Sequence, residues 1–267
     1  MLTLCILNFN GNDTLAESID SVLAQTYKPD RFVVIDNAST DGSRQIAVDK
    51  GVEVYDADNR CKFITGLNVA LSLCEDKLFF MQNDVVLDKN CLNYMMNYGP
   101  TEKGFIAQPV IYQTDGEIDN SGMDIYWPGF GLRRHTEWWD KNIFLYPQKC
   151  GLVTTICFMT DLKNHRYSET FYPAYYEDLS FKLEYPKVNH YLVPFAKATH
   201  KGNHTFSQSY NKLEISRICR KNRMKLVKRH YSGFDRMMRT AVLSVLDVAK
   251  ETVDVIRDRW ISANDRH

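Results

Sequence analysis

Short apolar runs of strand length alternate with segments of helical spacing in the N-terminal part of the chain, and no other feature limits the fold as strongly. Residues 15–23 repeat apolar side chains at the spacing of an amphipathic helix, and residues 62–74 make another helical segment. The short apolar runs are typical of strands buried on both faces of a sheet. They cover residues 2–7, 31–35, 52–55 and 77–82. The alternation predicts βαβ units and an α/β fold, with a mostly parallel central sheet flanked by helices.

Two aspartates stand at the ends of these predicted strands. Asp36 follows the second strand, and Asp84 follows the fourth strand after Asn83. Because crossovers between parallel strands are nearly always right-handed, the loops after such strands lie at one edge of the sheet, where ligands bind. A carboxylate there can hold a divalent cation against a diphosphate, since hard cations prefer oxygen ligands. Asp84 is therefore a candidate metal ligand, and a helix N-cap or turn residue is the alternative.

The middle of the chain, about residues 105–160, has a different character. It lacks helical periodicity and is rich in aromatic, Gly and turn-forming residues. This composition predicts strands and hairpins that cover the edge of the sheet, where a ligand could bind. The aromatic side chains between Tyr126 and Trp139 are candidates for stacking on sugar rings, and core packing is the alternative.

Two later segments carry polar groups suited to catalysis or metal binding. Glu177 and Asp178 open a predicted helix, although acids in a first turn are also favoured by the helix dipole. His200 follows the strand-like residues 191–194 and a short connector. Imidazole is a common metal ligand, and a structural histidine is the alternative.

Cysteine content and charge limit the cellular setting and the partners. The seven Cys residues include no Cys-x-x-Cys pair, which favours reduced core thiols in a cytosolic protein. The chain opens without a secretory signal pattern, and no apolar run approaches the ~18 residues of a transmembrane helix. These features predict a cytoplasmic protein. Between Lys197 and Arg239, twelve Lys and Arg stand against two acids, which suits phosphate-bearing partners or an anionic membrane surface. A solvated helix face is the alternative, and no nucleic-acid-binding motif accompanies this basic block.

The C-terminal residues 233–267 form a predicted amphipathic helical tail. Its apolar residues, among them Met238, Val245 and Trp260, repeat at helical spacing between charged residues. Such a helix packs on the domain or on a second subunit in a homodimer, or it lies peripherally on a membrane. The sequence leaves these arrangements open.

Several motifs occur in the order of a known enzyme family. Residues 33–43, Val-Val-Ile-Asp-Asn-Ala-Ser-Thr-Asp-Gly-Ser, provide the most specific match. Further matches are Asn59-Arg60, Gly66-Leu67-Asn68, Met81-Gln82-Asn83-Asp84, residues 176–180, residues 199–202 and residues 220–231. Together they resemble a family-2 glycosyltransferase of the GT-A fold, in the branch that includes bacterial rhamnosyltransferases. The resemblance implies a Rossmann-like GT-A domain over residues 1–232, with a nucleotide-sugar half (1–104) and an acceptor half (105–205), and C-terminal helices in the tail 233–267.

The resemblance also implies a function, which is inverting, metal-dependent transfer of a sugar from a UDP- or dTDP-sugar, with rhamnose as one candidate. The acceptor would be a hydroxyl group of a glycan or of a polyprenyl-diphosphate-linked molecule. Asp84 would hold Mg²⁺ or Mn²⁺, with His200 as a further ligand. Asp178 would be the general base, and Glu177 would orient the acceptor side. The implied donor-binding residues are Asn8, Asn10, Asp36, Asn37, Ser39, Arg60, Gly66, Asn68 and Asn83.

Three departures from the family pattern leave the pyrophosphate contacts and the acceptor pocket open. Gln82-Asn83 stands where the branch has Asn-Pro, residues 61–65 replace most of a Gly-rich stretch, and residues 167–170 stand near the place of a Gly-Gly-Phe-Asp motif. A nucleotidyltransferase shares the α/β layout, but it would normally have a Gly-rich basic loop after the first strand, whereas residues 8–11 contain no Lys or Arg. A non-catalytic sugar-binding relative is the third alternative, which the presence of both Asp84 and Asp178 disfavours.

Overall fold

The computed structural model describes residues 1–57, 63–127, 130–133, 147–202 and 211–247. The strands are β1 (Leu2–Asn8), β2 (Arg31–Asp36), β3 (Glu53–Asp56), β4 (Lys77–Gln82), β5 (Val85–Leu87), β6 (Phe105–Tyr112), β7 (Ile118–Asn120), β8 (Met123–Tyr126), β9 (Phe130–Arg133), β10 (Gln148–Lys149), β11 (Cys157–Thr160) and β12 (Asn189–His200). The helices are α1 (Leu15–Leu23), α2 (Ser43–Asp49), α3 (Phe63–Ser72), α4 (Cys91–Tyr98), α5 (Glu177–Glu184), α6 (Lys212–His230) and α7 (residues 233–247), with a 3₁₀ turn at Glu169–Phe171.

Most of these strands form one central sheet. Its order is β10-β12-β6-β11-β4-β1-β2-β3, with β5 paired to β12 and β7 paired to β6. β1 pairs in parallel with both β2 and β4, and β2 pairs in parallel with β3. All seven residues of β1 are buried, as expected for the centre of a sheet covered on both faces. The prediction of an α/β fold with parallel strands in the N-terminal half is confirmed.

Two apolar layers enclose the sheet because successive side chains of a strand point to opposite faces. Leu4 and Ile6 of β1 belong to one layer, which is completed by buried residues of α1, α2 and α4. Cys5 and Leu7 belong to the other layer, which includes buried residues of α3, α5 and α6. The helices that carry the later candidate residues therefore pack on the same face of the sheet as α3.

The sequence predicts that the middle section covers the edge of the sheet, but two of its strands lie inside the sheet. β6 and β11 lie inside the central sheet, where β11 pairs antiparallel with both β4 and β6. The rings of Phe80 and Phe158 stack across the β4–β11 pair with centroids 5.2 Å apart. The sheet thus continues through the boundary predicted at residue 104. Only β8 and β9 form a separate hairpin among the described residues, and Trp138 and Trp139 lie outside that part of the chain.

The connector predicted between residue 194 and His200 is wrong, because β12 continues to His200 itself. The register of its pairing with β6 shifts between Val193 and Lys197, and Pro194 lies within this irregularity. A proline has no N–H for the ladder, so it is tolerated in a strand at such a bulge. Beyond the irregularity, His200 pairs with Val85 of β5, which places it beside the loop that carries Asp84.

Cysteine burial and the C-terminal helices agree with the sequence where they are described. The thiols of Cys5, Cys74, Cys91 and Cys157 are free and buried, and burial raises the pKa of each. The predicted tail is helical over residues 233–247, and residues 248–267 lie outside the described chain. None of the described helices has both the length and the apolar composition needed to cross a membrane.

Candidate functional site

A buried network joins the carboxyl ends of three neighbouring strands, β1, β2 and β4. Asn8 and Asp36 are register partners at the ends of β1 and β2. The side-chain amide nitrogen of Asn8 lies 3.0 Å from Asp36 Oδ1 and 2.8 Å from Ser43 Oγ, while its Oδ1 accepts a hydrogen bond of 2.8 Å from Asn83 Nδ2. The backbone N–H of Asn37, also buried, donates to the carbonyl oxygen of Asn8 at 2.8 Å. Four of the predicted donor-binding residues are thereby brought together in one network.

The loops after β1 and β2 are bonded to each other at the rim of this network. Ser39 Oγ accepts from the backbone N–H of Asn10 at 3.0 Å, and Asn10 Oδ1 accepts from the N–H of Thr40 at 2.9 Å. The N–H of Ser39 donates to Asp36 Oδ2 at 3.1 Å. Asn10 has φ of 48°, a left-handed conformation that asparagine tolerates better than most residues. Asn10 and Ser39 are partly exposed, so they remain accessible to a ligand at this edge.

The predicted donor residues of α3 have contacts within the protein. A Cβ on Gly66 would lie 2.3 Å from Cδ1 of Leu7, so a larger residue there would have to displace the Leu7 side chain where α3 packs on β1. Asn68 is buried, and its amide both donates to the carbonyl of Tyr167 at 2.9 Å and accepts from the N–H of Tyr167 at 2.8 Å. Arg60 lies outside the described residues. A direct contact of any of the three with a donor stays a prediction.

Asp84, His200 and Asp119 form a buried chain of polar groups. His200 Nε2 lies 3.3 Å from Asp84 Oδ2, and His200 Nδ1 lies 3.0 Å from Asp119 Oδ2. Asp84 is only 4% exposed, and its other carboxylate oxygen, Oδ1, is buried without a hydrogen-bond partner in the described part of the chain. Sequence reasoning missed Asp119, which lies in the middle section where no periodic pattern marks an inward-pointing acid. The structure thus brings the two predicted metal ligands together and adds a second carboxylate behind the histidine.

The loop that carries Asp84 is held from two sides. Ser18 Oγ of α1 lies 2.7 Å from the carbonyl oxygens of both Asn83 and Val85. On the other side, the N–H of Lys201 donates to the carbonyl oxygen of Asp84 at 2.9 Å. Ser18 is buried although it is polar, and its place on the packed face of α1 is the sequence feature that could have revealed this role. The backbone around Asp84 is therefore fixed before any ligand binds.

The positions of Asp84 and His200 suit a divalent cation whose remaining ligands are phosphates and waters. Burial lowers the pKa of His200, but hydrogen bonds to Asp119 and Asp84 outweigh burial and raise that pKa to about 9. Among the described residues, no group of three His, Cys, Asp or Glu side chains is arranged to hold a metal ion. The protein would therefore supply two ligands, which suffices for Mg²⁺ because it commonly binds one or two carboxylates together with phosphates and waters.

The second acidic centre lies at the N-terminus of α5. Glu177 is buried, and its Oε1 accepts a hydrogen bond of 2.9 Å from Thr155 Oγ1. Asp178 is half-buried, and its Oδ1 accepts from the N–H of Leu179 at 2.7 Å. Burial raises the pKa of both carboxyl groups, and the neighbouring charge of Asp178 adds to the rise at Glu177. A carboxylate with a raised pKa is suited to accept a proton near neutral pH.

Residues 155–156 connect the two acidic centres. The N–H of Gln82 at the end of β4 donates to the carbonyl of Ile156 at 3.0 Å, and Gln82 Nε2 donates to the carbonyl of Thr155 at 3.2 Å. Thr155 in turn bonds Glu177. The start of α5 is therefore tied to the carboxyl end of β4, two residues before Asp84. Thr155 was not predicted as a site residue.

Two known proteins are similar in sequence to part of this chain. The O-antigen chain rhamnosyltransferase RfbN of Salmonella typhimurium is 29% identical over 103 residues, and the uncharacterized glycosyltransferase RP339 of Rickettsia prowazekii is 29% identical over 101 residues. Each match covers 36% of this chain, and 32% and 31% of the relatives, so the matched region spans about a third of their length.

Two solved structures share the fold at low sequence identity. GalNAc-T7, crystallised with UDP, GalNAc and Mn²⁺, superposes with a TM-score of 0.66 and 14% identity, covering 85% of this chain and 47% of that protein. Residues 1–349 of TarS from S. aureus, in complex with UDP-GlcNAc, superpose with a TM-score of 0.53 and 15% identity, covering 91% and 70%. The predicted GT-A fold is confirmed.

The family itself is shown by a match of greater extent. Residues 3–158 match the model of glycosyl transferase family 2, and this region contains β1 to β4, Asp36 and Asp84. It covers more than half of the 267 residues. The chain therefore belongs to glycosyl transferase family 2.

Proposed function

We propose that this protein is an inverting, metal-dependent glycosyltransferase that moves a sugar from a nucleoside-diphosphate donor to an acceptor hydroxyl group. One observation carries the proposal. Asp84 lies just beyond the carboxyl end of a parallel strand, with one buried carboxylate oxygen that has no partner in the described chain and with His200 beside the other. A buried carboxylate oxygen without a hydrogen bond is costly, and a divalent cation would compensate for it. Family membership supports sugar transfer as the reaction.

The donor is proposed to be a UDP- or dTDP-sugar. The RfbN relative is named as a rhamnosyltransferase, and the TarS and GalNAc-T7 structures contain UDP-GlcNAc or UDP. Asp36 accepts one hydrogen bond on each carboxylate oxygen from the protein, and each oxygen has a further lone pair for a base or ribose hydroxyl. Asn10 and Ser39 are partly exposed next to it. Asn8, Asn37 and Asn83 are buried, as is Asp36, but the amides of Asn8 and Asn83 are bonded to each other within the network, which favours a role in holding the donor crevice in shape.

Asp84 and His200 are proposed to hold Mg²⁺ or Mn²⁺. The bound cation would offset the negative charge that grows on the departing nucleoside diphosphate. His200 must lose a proton to become a ligand, so cation binding would release that proton. Asp119 accepts the Nδ1–H of His200 and leaves Nε2 as the ligand atom, an arrangement common behind metal-binding histidines.

Asp178 is proposed to be the general base. The acceptor oxygen forms a bond to the anomeric carbon, the bond from that carbon to the diphosphate oxygen breaks, and the hydroxyl proton passes to Asp178. A single displacement of this kind inverts the anomeric centre. A positioned base typically contributes ~10²–10⁴ in rate. Glu177, bonded to Thr155, is proposed to hold the acceptor side of the crevice.

The acceptor is proposed to be a glycan or a polyprenyl-diphosphate-linked molecule at a membrane surface. α6 carries most of the basic block, and α7 exposes Phe234, Met237 and Val245 to solvent. Exposed apolar side chains beside basic ones favour contact with an anionic bilayer. Sedimentation with anionic liposomes at low salt tests this contact, and protein that stays in solution would leave the domain itself or a second subunit as the partner of the C-terminal tail.

The assignments of the two aspartates are tested by paired substitutions. UDP, dTDP and their sugars are screened by thermal shift with and without Mn²⁺, and turnover is followed as release of the nucleoside diphosphate. Asp84→Asn is expected to abolish the Mn²⁺-dependent shift, whereas Asp178→Asn is expected to keep it and lose turnover. Asp88→Asn and Glu169→Gln remove the same charge at exposed positions and serve as controls.

Two outcomes would contradict the proposal. Full turnover in Asp84→Asn or Asp178→Asn would refute the role given to that residue. Release of pyrophosphate from a nucleoside triphosphate and a sugar phosphate would instead identify a nucleotidyltransferase.

A further inference from the structure

A single amide on α6 binds the backbone of the segment that leads into α5. Asn222 is 1% exposed, and its Nδ2 lies 3.0 Å from the carbonyl oxygen of Phe171, 2.8 Å from that of Ala174 and 3.3 Å from that of Tyr175. An amide nitrogen has two hydrogens, so at least one of these bonds is shared. Three carbonyl oxygens of this segment thus accept hydrogen bonds from one side chain that is about fifty positions away in the sequence.

The segment held in this way has an unusual backbone. Tyr175 and Tyr176 have φ of 74° and 73°, so two consecutive residues with large side chains adopt the left-handed conformation. Such a conformation is costly for residues other than glycine and persists only where the surroundings impose it. Tyr176 is the N-cap residue of α5, and the next two residues are Glu177 and Asp178. The direction in which Asp178 leaves the backbone is therefore set by this strained pair.

We propose that Asn222 is a positioning residue that holds the strained turn at Tyr175 and Tyr176 and thereby aims Asp178 at the reacting hydroxyl group. This inference rests on the proposed role of Asp178 as the base. Asn222 does not touch the reacting atoms in this account, since its amide is bonded to the backbone of residues 171–175. Its effect on the reaction passes through the geometry of the turn.

Other contacts attach α6 to the domain, so loss of Asn222 leaves the fold in place. Leu226 and Val227 of α6 are buried. Ser180 Oγ of α5 lies 2.8 Å from His230 Nε2, and Arg229 donates to Glu184 at 2.8 Å. These contacts fix α6 against α5 on the side away from the turn. Removal of the amide is therefore expected to release the turn while the two helices stay packed.

Glu184 provides a control at the other end of the contact between α5 and α6. Its Oε1 accepts a hydrogen bond of 2.8 Å from Arg229 Nε, and this contact does not involve residues 171–175. Glu184→Gln removes a charged contact between the two helices and leaves the strained turn held by Asn222. It is expected to keep wild-type turnover within about twofold.

The test measures turnover and binding separately in Asn222→Ala, using UDP-GlcNAc and dTDP-rhamnose as donors. We expect kcat to fall about 10- to 100-fold, because a displacement of ~1 Å at a catalytic group can cost 10²-fold. The KM for the donor and the affinity for Mn²⁺ are expected to stay within about twofold, since Asp84 and the β1–β2 network are untouched. Asn222→Ser keeps one hydrogen-bond donor, so its kcat should lie between those of the wild type and Asn222→Ala.

A rescue experiment separates positioning from a general structural role. Glycine adopts a positive φ without strain. Tyr175→Gly in the Asn222→Ala background is therefore expected to recover at least about threefold of the lost kcat. If Asn222→Ala lost activity only because it is less well packed, truncation of Tyr175 to glycine would lower its kcat further. If Asn222→Ala does not fold, the same comparison is made in Asn222→Ser.

The outcomes distinguish this inference from the proposed function. An unchanged kcat in Asn222→Ala together with a lowered melting temperature would overturn the positioning role. A rise in the donor KM by the same factor as the fall in kcat would also overturn it. Asp178→Asn is assayed in parallel. If Asp178→Asn is inactive and Asn222→Ala is fully active, the positioning inference alone fails, whereas an active Asp178→Asn means that the proposed base is wrong.

Discussion

Replacement of Asn8 by alanine should destabilise the protein more than substitution of any exposed residue in the loop that follows. Asn8 is fully buried, and its side chain joins the ends of β1, β2 and β4. Asn8→Ala removes the donor to Asp36 and Ser43 and the acceptor for Asn83 at once. Each of those partners is buried, so water cannot easily take the place of the lost amide.

The expected magnitude follows from counting these bonds. The two hydrogens of Nδ2 supply two good hydrogen bonds at a time, one of them to the Asp36 carboxylate at 3.0 Å. The neutral bonds to Ser43 and from Asn83 contribute about 1 kcal/mol each, and the bond to the charged group contributes about 1.5–3 kcal/mol. The Ser43 hydroxyl already donates to Asp41 at 2.6 Å, so its rotation cannot replace the lost bond. We expect the free energy of unfolding to fall by about 3.5–5 kcal/mol, or roughly 7–20 °C in Tm for a domain of this size.

Urea unfolding followed by circular dichroism measures the change directly. Asn12→Ala, an exposed amide in the same loop, is the control and should change stability by less than about 0.5 kcal/mol. Asn8→Asp keeps the acceptor for Asn83 but sets a second carboxylate against Asp36, so its loss should be greater at pH 7 than at pH 5. If Asn8→Ala costs less than about 1 kcal/mol, the network does not hold the strand ends together.

Three further predictions concern single groups of the site. Because burial raises the folded-state pKa of Glu177 above its unfolded value, its stabilising contribution is complete at acid pH and is lost as pH rises through the raised pKa. Stability should therefore decline from pH 5 to pH 9, and Glu177→Gln should make that decline smaller in a pH series of melting curves. Since burial also raises the pKa of Asp178, the acid limb of kcat/KM should lie above the range of an ordinary aspartate, and a limb near pH 4 would contradict its role as base. Gly11→Ala should lower the free energy of unfolding by about 1–3 kcal/mol in urea titrations, because the added Cβ would lie 2.2 Å from Asn83 Nδ2 and 2.4 Å from Asn8 Oδ1, and wild-type stability would show that the two amides can separate freely.

Local pattern was sufficient to predict the N-terminal half of the fold. Apolar runs that alternate with helical segments predict parallel strands, and the register of such strands brings their last residues to one edge. Asn8 and Asp36 are paired for this reason, although they are 28 residues apart. The place of Asp84 follows from the same rule, because β4 is parallel to β1.

The remainder of the site depends on pairings that no local pattern marks. Asp119 reaches His200 only because β7 pairs with β6, β6 pairs with β12, and β12 extends to its last residue beside β5. Thr155 meets Glu177 because the segment before β11 lies next to β4. The sequence shows Asn222 only as part of a basic helix, and it does not show the three backbone acceptors, which depend on how that helix packs.

Asn68 shows that a sequence motif does not specify what a side chain binds. Its position in a family motif predicts a contact with the donor, which stays a prediction, and the structure shows that its amide binds both backbone groups of Tyr167. A motif identifies the residue that is needed at a position, but an amide that binds a ligand and an amide that binds a neighbouring backbone have the same sequence signature.

A crystal structure of the protein with UDP and Mn²⁺ tests the central claim most directly. The account predicts Mn²⁺ in contact with the Asp84 carboxylate, with His200 Nε2 and with the diphosphate oxygens, and it predicts that the Asp178 carboxylate opens into the same crevice. A diphosphate bound away from Asp84, or an Asp178 that opens onto a separate surface, would contradict it.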